Sequence, residues 1–315
     1  MINQNLDSYM RSLGYKNPPS HITVGKMTRF PAPNKDKNNR SAWAIQVSDQ
    51  SVIFGDWVTD AKYVWHDRQE NMTTAEKIEA HTSTTEMVEN LKRKIEANHK
   101  IAAEHCKIIF CNAQQVKNNH PYLQRKEVSN YGLRWLSEFA GLHDAVVVPI
   151  CSFNKTSSFS IQSLQIIAAD GSKRFFKGGK KQGGFHCLRE PQEKSDILIA
   201  EGYATAATLA DRLPDDSLYC AFDSGNIKSV ALSIRQRYPT KTIIIAGDND
   251  HHLKINIGKD KAIEAAQAVC GHVLIPYFEA GDSGTDWNDF YLGKKRGKGR
   301  EEENAKVKSI KEKLC

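Results

Sequence analysis

The sequence predicts an α/β protein whose main part is a Rossmann-like parallel sheet, preceded by a basic α+β lobe and a small β-rich N-terminal domain. Three patterns lead to this fold class. From residue 195 onward, short apolar runs alternate with helical patterns, and strands that alternate with helices pair in parallel and are covered on both faces. A stretch rich in lysine and glycine precedes this alternation, and three tryptophans lie within residues 43–65.

These patterns divide the chain into predicted segments. They are a small β-rich domain over residues 1–70, a helical connector over 71–118, a basic α+β lobe over 119–194, an α/β domain over 195–292 and a basic tail over 293–315. The tail holds nine lysines and arginines against four glutamates. This composition is typical of a disordered basic segment, here followed by a short helix.

Composition excludes several classes of protein. The 315 residues are 40% hydrophobic, which is enough for two or three domains with packed cores. No apolar run approaches the roughly 20 residues that span a bilayer, and the first residues lack the basic start and apolar centre of a signal peptide. We therefore expect a cytoplasmic protein with no membrane partner. The seven cysteines are never spaced Cys-x-x-Cys, so we expect no disulfide framework and no zinc.

The N-terminal domain is predicted to hold three strands, at residues 25–30, 42–47 and 51–57. A turn at Asp49-Gln50 joins the last two. The aromatic residues of this domain have two open interpretations: beside lysine and arginine they can stack single-stranded bases, or they form the core of the module. One or two helices follow over residues 72–115, and we assign them no chemistry.

The basic lobe is predicted to be strand-rich, with runs at residues 145–150, 161–168 and 174–176. Asp170-Gly171 predicts a hairpin between the last two runs. Residues 173–184 then hold five basic residues and four glycines. Glycine lets the main chain approach phosphates and lysine neutralises them, so this loop is a candidate phosphate-binding segment. The alternative is a solvated basic loop, and the net charge of +7 is by itself weak support for nucleic-acid binding.

The α/β domain is predicted in detail. Strands are expected at 196–200, 218–222, 241–246 and 273–277, and helices at Tyr203–Arg212, 227–238 (capped by Asn226) and 259–269. Carboxylates follow every predicted strand, namely Glu201, Asp223, Asp248, Asp250, Asp282, Asp286 and Asp289. Since the carboxyl ends of parallel strands meet at one edge, these acids would repel one another without a cation. Mg²⁺ prefers such ligands together with water and substrate phosphates.

Other nucleotide chemistries fit the sequence poorly. Gly258-Lys259-Asp260 lacks the loop and the hydroxyl of a P-loop, and neither a dinucleotide-binding Gly-x-Gly-x-x-Gly nor a Gly-x-Ser-x-Gly motif occurs. His251 and His252 are adjacent and point apart, so we interpret them as flanking polar residues. The sequence therefore favours metal-assisted phosphoryl transfer at the acidic edge.

The ordered set of motifs resembles the TOPRIM primases of plasmids, conjugative elements and phages, which have a DnaG-like catalytic core. The resemblance covers residues 85–290. The motifs that carry it are His120-Pro121-Tyr122-Leu123-x-Arg125-Lys126, Ser163-Leu164-Gln165 before Asp170-Gly171-x-Lys173, Phe176-x-Gly178-Gly179, Glu201-Gly202-Tyr203-Ala204-Thr205-Ala206, Asp223-x-Gly225-Asn226, Asp248-x-Asp250 and Thr285-Asp286-Trp287-Asn288-Asp289.

The resemblance implies a TOPRIM catalytic domain that makes RNA primers on single-stranded DNA from NTPs. It implies that Glu201, Asp248 and Asp250 are catalytic and hold Mg²⁺ or Mn²⁺, with Asp286 and Asp289 as further metal ligands. The implied nucleotide- or nucleic-acid-binding residues are Arg125, Arg134, Lys173, Arg174, Lys177, Lys180, Lys181, Asp223, Asn226 and Lys259. A separate replicative helicase or replication initiator is the expected partner.

The sequence departs from the family pattern in three ways. Thr205 stands where the housekeeping bacterial primase has a second acid, and Leu253 stands near the usual glycine after Asp-x-Asp. These two departures leave the number of bound metal ions open, but they do not change the predicted class of reaction. The cysteine-rich template-recognition domain is also lacking, and we hypothesise that residues 21–66 replace it without zinc. Two alternative functions are a metal-dependent TOPRIM nuclease and a non-catalytic accessory protein that binds single-stranded DNA.

Overall fold

The computed structural model describes residues 4–48, 50–57, 61–67, 74–154, 158–253, 255–279 and 281–294. The chain divides into two units, Met1–Ala97 and Asn98–Cys315. Most of the predicted basic tail and part of the predicted turn at Asp49-Gln50 lie outside the described residues. No helix within the described ranges has the length and apolar character needed to cross a membrane.

In the first unit a short helix packs on a four-stranded antiparallel sheet whose strands follow chain order. Its elements are α1 (Gln4–Ser12), β1 (Thr28–Phe30), β2 (Ala42–Ser48), β3 (Ser51–Asp56) and β4 (Lys62–His66). Leu6 and Met10 lie one turn apart on α1 and are buried with Tyr15 and Phe54 in the core of this unit. The three predicted strands are confirmed, whereas α1 and β4 were not predicted.

A long helix, α2 (Thr74–Asn112), confirms the helix predicted over residues 72–115. In the second unit, Cys106 of this helix is buried against a five-stranded antiparallel sheet. The elements of this lobe are β5 (Gln114–Gln115), α3 (Pro121–Lys126), β6 (Arg134–Phe139), β7 (Leu142–Phe153), β8 (Phe159–Ala168) and β9 (Lys173–Phe175). The three predicted runs of this lobe are therefore confirmed as β7, β8 and β9.

The hairpin predicted at Asp170-Gly171 is confirmed between β8 and β9. Gly171 has φ +91° and its N–H donates to the Ala168 carbonyl, a conformation that favours glycine. On β7, Val146 and Val148 face one hydrophobic core while Ala145 and Val147 face another. Because both faces of this strand are covered, its sequence is a continuous apolar run.

The α/β domain has a five-stranded sheet in the order β10-β12-β11-β13-β14, parallel except for β10. Its elements are β10 (His186–Arg189), β11 (Ile197–Ala200), α4 (Tyr203–Arg212), β12 (Ser217–Cys220), α5 (Ser224–Arg237), β13 (Ile243–Ala246), α6 (Ile257–Ala268), β14 (His272–Leu274) and α7 (Trp287–Lys294). The predicted parallel sheet is confirmed. β14 ends three residues earlier than predicted.

The prediction that Asn226 caps a helix was wrong. α5 begins at Ser224, and Asp223 occupies the cap position with extended backbone. Asn226 is instead buried in the first turn. Its amide is required elsewhere, because it satisfies backbone groups of the glycine-rich loop that packs on this helix.

Candidate active site

The order of the strands brings the predicted acids to one edge of the parallel sheet. β11 lies between β12 and β13, and in the register Ala200 is level with both Cys220 and Ala246. The chain leaves β11 toward β12 and leaves β13 toward β14, in opposite directions across the sheet. Open α/β sheets bind their ligands at such a switch point, outside the carboxyl ends of the strands. Glu201 and Asp248 follow the two strands that flank it.

Glu201 follows β11 directly and is half-buried. Burial raises the pKa of its carboxyl group to about 7, and the charges of Asp223 and Asp250 contribute to the shift. A hydrogen bond from the Ser224 N–H and the charge of Lys173 act in the opposite direction. Glu201 therefore lies among two acids from different loops and one lysine from β9.

Asp248 is the most strongly perturbed acid of the edge. Burial raises its pKa to about 9, helped by the charges of Glu201, Asp286 and Asp250. Among the described residues, its Oδ1 atom is buried without a hydrogen-bond partner. The preceding residue, Gly247, must lack a side chain for Asp248 to lie here, because a Cβ on residue 247 would lie 2.5 Å from the Ala262 Cβ.

Two asparagines that the sequence reasoning missed fix the loop around Asp250. The Asp250 carboxylate accepts the Gly258 N–H at 3.1 Å, and its own N–H donates to the Asn256 side chain at 3.0 Å. Asn256 donates in turn to Asn249, whose amide donates to the Pro276 carbonyl. The only sequence signal was the clustering of asparagine around Asp-x-Asp. These bonds hold Asp250 at the start of α6.

The later acids begin α7. Asp286 accepts the Asp289 N–H at 2.7 Å, and Asp289 accepts the Thr285 N–H at 3.3 Å, so each acid also satisfies a backbone donor at the helix start. Burial raises the pKa of Asp286, and Thr205 hydrogen-bonds to its carboxylate. A threonine that donates to an acid thus occupies the position where the family pattern has a second acid. Asp282 is exposed and accepts the Glu279 N–H instead.

Two lysines of the predicted phosphate-binding segment, one on β9 and one in the glycine-rich loop after it, reach the acidic edge. Lys181 forms an ion pair with Asp223, and the charge of Lys173 acts on Glu201. Lys126 is a third lysine that sequence reasoning did not select, and its Nζ lies 3.7 Å from Asp289. Positive charge therefore surrounds the acids on the side of the basic lobe.

Other predicted basic residues have different partners. Arg174 points to the opposite face of β9 from Lys173, and its Nη1 donates to the Ala140 carbonyl at 2.6 Å. Arg125 donates to the Ala169 carbonyl at 2.7 Å, and the Arg134 guanidinium lies 5.6 Å from the Phe110 ring centroid. Three further lysines are exposed, namely Lys177, Lys180 and Lys259.

A tyrosine network missed by sequence reasoning joins the basic lobe to the α/β domain. The Tyr203 hydroxyl donates to the Ser129 carbonyl at 3.0 Å and accepts the Tyr131 N–H at 3.1 Å. The Tyr131 hydroxyl donates to Asp211 at 2.7 Å. Tyr203 follows Glu201 by two residues, so this network also fixes the helix that begins beside the acidic edge.

Asn226 fastens the glycine-rich loop to the sheet. Its Oδ1 accepts the Gly183 N–H at 2.8 Å, and its Nδ2 donates to the carbonyls of Gly184 and Ala221. Gly184 is needed for this approach, because a Cβ there would lie 2.5 Å from the Ile150 side chain. The loop that carries Lys181 is thus positioned by a buried amide.

We expect Asn226→Ala to destabilise the protein by about 2–4 kcal/mol, because two buried backbone carbonyls and one half-buried N–H lose their partner. Urea unfolding of the full chain measures this change. Gln182→Ala is the matched control, since Gln182 bonds to Ser229 in the same contact but is exposed, and we expect a change within about 0.5 kcal/mol. Equal losses in both variants would contradict the role assigned to Asn226.

Residues 196–297 match the family model of the Toprim domain. The chain carries a Toprim domain. Two curated relatives are both called DNA primase TraC, from Escherichia coli. One is 41% identical over 128 residues, covering 38% of this chain and 12% of the relative, and the other is 42% identical over 123 residues, covering 37% and 8%. The predicted resemblance to TOPRIM primases and the predicted α/β fold are thereby confirmed.

Solved structures were also similar to this chain. The primase fragment of the bacteriophage T7 primase-helicase protein matches with 15% identity and a TM-score of 0.40, over 59% of this chain and 74% of that chain. A structure of the T7 lagging-strand DNA polymerase interacting with primase domains matches with 15% identity and a TM-score of 0.36, over 54% and 79%.

The residues at the edge of the Toprim domain suit a divalent cation. Asp248 offers a buried carboxylate oxygen without a partner among the described residues, and its neighbours Glu201 and Asp250 carry like charge. In the described part of the chain, no three Asp, Glu, His or Cys side chains are grouped closely enough to ligate one ion together. A cation here would complete its ligand shell with water and phosphate oxygens, as Mg²⁺ commonly does.

Proposed function

We propose that this chain is a DNA-dependent RNA primase that makes short primers on single-stranded DNA from NTPs, in the replication of a plasmid, phage or other mobile element. The observation that carries the proposal is the set of carboxylates at the switch point of the Toprim sheet, with the unpartnered oxygen of Asp248 among them. The similarity to DNA primase TraC supports it. The proposal includes a replicative helicase or replication initiator as a partner.

In this proposal Glu201, Asp248 and Asp250 hold Mg²⁺ or Mn²⁺, partly through bound water because the three carboxylates do not ligate one ion together, and Asp286 and Asp289 assist from the start of α7. The bound ion would neutralise phosphate charge and activate the attacking 3′-oxygen. The ion pair with Asp223 holds Lys181 at the edge, and Lys173 beside Glu201 neutralises a phosphate oxygen of the NTP or of the strand. Nucleotidyl transfer then depends mainly on positioning and electrostatics.

One assay tests this function against its alternatives. The full chain is incubated with single-stranded DNA, labelled NTPs and Mg²⁺ or Mn²⁺, with EDTA as the control. New short RNA that depends on the metal is the expected result. Shortened DNA would instead indicate a Toprim nuclease, and DNA binding without either product would indicate an accessory protein.

We also propose that the first unit binds single-stranded DNA without zinc. Trp57 is 47% exposed in this unit, the Arg29 guanidinium lies 4.8 Å from its ring centroid, and Trp43 lies 6.2 Å away. Exposed aromatic rings beside arginine are the usual stacking surface for unpaired bases. Phe54, by contrast, is fully buried, so the two interpretations of the aromatics apply to different residues.

We expect Trp57→Leu to weaken binding of single-stranded DNA by about 5- to 20-fold, since base stacking contributes about 1–3 kcal/mol per base. Fluorescence anisotropy with a labelled oligonucleotide measures the affinity of the full chain. Val64→Ala is the control, because Val64 is 51% exposed on the same sheet and is not aromatic. An unchanged affinity of Trp57→Leu would refute the stacking role.

A further inference from the structure

An exposed aromatic ring lies beside the acidic edge of the Toprim domain. Phe175 belongs to β9, the edge strand of the lobe sheet, and is 40% exposed. Side chains two residues apart on a strand share a face, so Phe175 lies on the same face of β9 as Lys173. The charge of Lys173 acts on Glu201. This face of β9 is therefore turned toward the candidate catalytic acids.

Direct contacts also connect Phe175 to the edge. Its ring packs edge-to-face on Phe222, with centroids 6.3 Å apart and an interplanar angle of 79°. Phe222 comes directly before Asp223. The Lys181 ammonium lies 5.1 Å from the Phe175 ring centroid and pairs with Asp223. The ring is thus held between a buried aromatic residue and a lysine that is fixed at the edge.

The backbone of Phe222 is unusual. Its φ is +74°, in the left-handed region that bulky residues rarely adopt. The backbone strain of such a residue persists only where the surrounding structure enforces it. This conformation places the buried Phe222 ring under Phe175 at the point where β12 ends and the acids begin. Phe176, the next residue, already supplies the core contact of this segment by packing on Phe139. Packing of the lobe does not account for the exposed ring of Phe175.

We propose that the Phe175 ring, with the ammonium groups of Lys173 and Lys181 beside it, is the stacking surface for a nucleobase at the acidic edge. The base belongs either to an incoming NTP or to single-stranded DNA, and both present the same flat π-face. Aromatic rings stack bases with little regard to sequence, and nearby lysines neutralise the attached phosphates. The inference rests on the proposed function, for which it supplies a base-binding residue.

Photo-crosslinking of the full chain in Mg²⁺ tests the contact without turnover. The two probes are 5-iodo-UTP and a single-stranded oligonucleotide that carries one 5-iododeoxyuridine. We expect one of them to crosslink to residue 175, identified by mass spectrometry of the peptide, and the probe that does so identifies the source of the base. Crosslinks at other positions from both probes would overturn the inference.

Variants of Phe175 provide a second measurement. We expect Phe175→Leu to weaken equilibrium binding of the crosslinking probe by about 5- to 50-fold, as loss of one base stack implies. Phe175→Tyr keeps the aromatic ring and should bind within about twofold of the unaltered protein. Thermal melting verifies that both variants are folded. Equal affinities of the Leu and Tyr variants for both probes would also overturn the inference.

The outcomes separate this inference from the proposed function. If the unaltered protein makes RNA and Phe175→Leu does so with the same KM for NTPs and for template, the function stands and the stacking role fails. If no RNA is made yet Phe175 still crosslinks to a probe, the primase function fails and the base-binding surface stands.

Discussion

Glu201→Gln is expected to lower metal-dependent primer synthesis at least about a thousandfold, since charge stabilisation by a bound metal contributes several kcal/mol and each 1.4 kcal/mol is tenfold in rate. The amide keeps the shape of the side chain but removes one of the like charges that raise the pKa of Asp248. We therefore expect the variant to fold and to be at least as stable as the unaltered protein without metal. Primer synthesis with labelled NTPs measures the activity.

Glu264→Gln is the matched control for this change. Glu264 lies on α6 of the same domain, where it pairs with Lys228 and Lys261 on the surface, and its side chain is 43% exposed. Surface pairs of this kind contribute about 0–1 kcal/mol, so activity should stay within about twofold. Primer synthesis that survives Glu201→Gln would refute the assignment of Glu201 and with it the proposed catalytic edge.

Without metal, the stability of the protein is expected to fall as pH rises. The pKa values of Glu201 and Asp248 are raised to about 7 and about 9 in the folded chain, whereas unfolded carboxyls titrate near pH 4. The folded state thus holds more protons between about pH 4 and pH 9, and the contribution of these groups to stability declines over that range. A bound cation would replace those protons, so Mg²⁺ should stabilise the protein little at pH 5.5 and more at pH 8.5.

The melting temperature in Mg²⁺ and in EDTA, measured at both pH values, tests this expectation. One unit of pKa shift corresponds to 1.36 kcal/mol, so the gain from Mg²⁺ at pH 8.5 should exceed that at pH 5.5 by at least about 3–6 °C. Asp248→Asn is the informative variant, because an amide is neutral at every pH and takes up no proton when the chain folds. It should melt higher than the unaltered protein in EDTA at pH 8.5 and respond less to Mg²⁺. An Mg²⁺ effect that is the same at both pH values would contradict the cation site.

Local pattern predicted most of the Toprim sheet because its three central strands, β12, β11 and β13, are buried on both faces. Ile197 and Ile199 face one core while Leu198 and Ala200 face the other, so each strand is a short apolar run bounded by helical sequence. α4 was predicted with its observed bounds, and its residues 203–210 are all buried. β4 was missed because polar and apolar residues alternate only weakly in its sequence. α1 was missed because it is short and is stabilised mainly by the tertiary burial of Leu6 and Met10.

The sequence by itself determined the identity of the acids and the strand that each one follows. Their order along the chain, with parallel pairing, was enough to predict a common edge. Only the tertiary structure decided which basic residues reach that edge. Lys173 and Arg174 are adjacent in sequence, but strand alternation directs them to opposite faces of β9, toward Glu201 and toward Ala140. The fold also buries Asn226, which was predicted to be a helix cap, against the glycine-rich loop, and it places Phe175 beside Phe222. Sequence patterns did not predict these contacts because they join residues far apart in the chain.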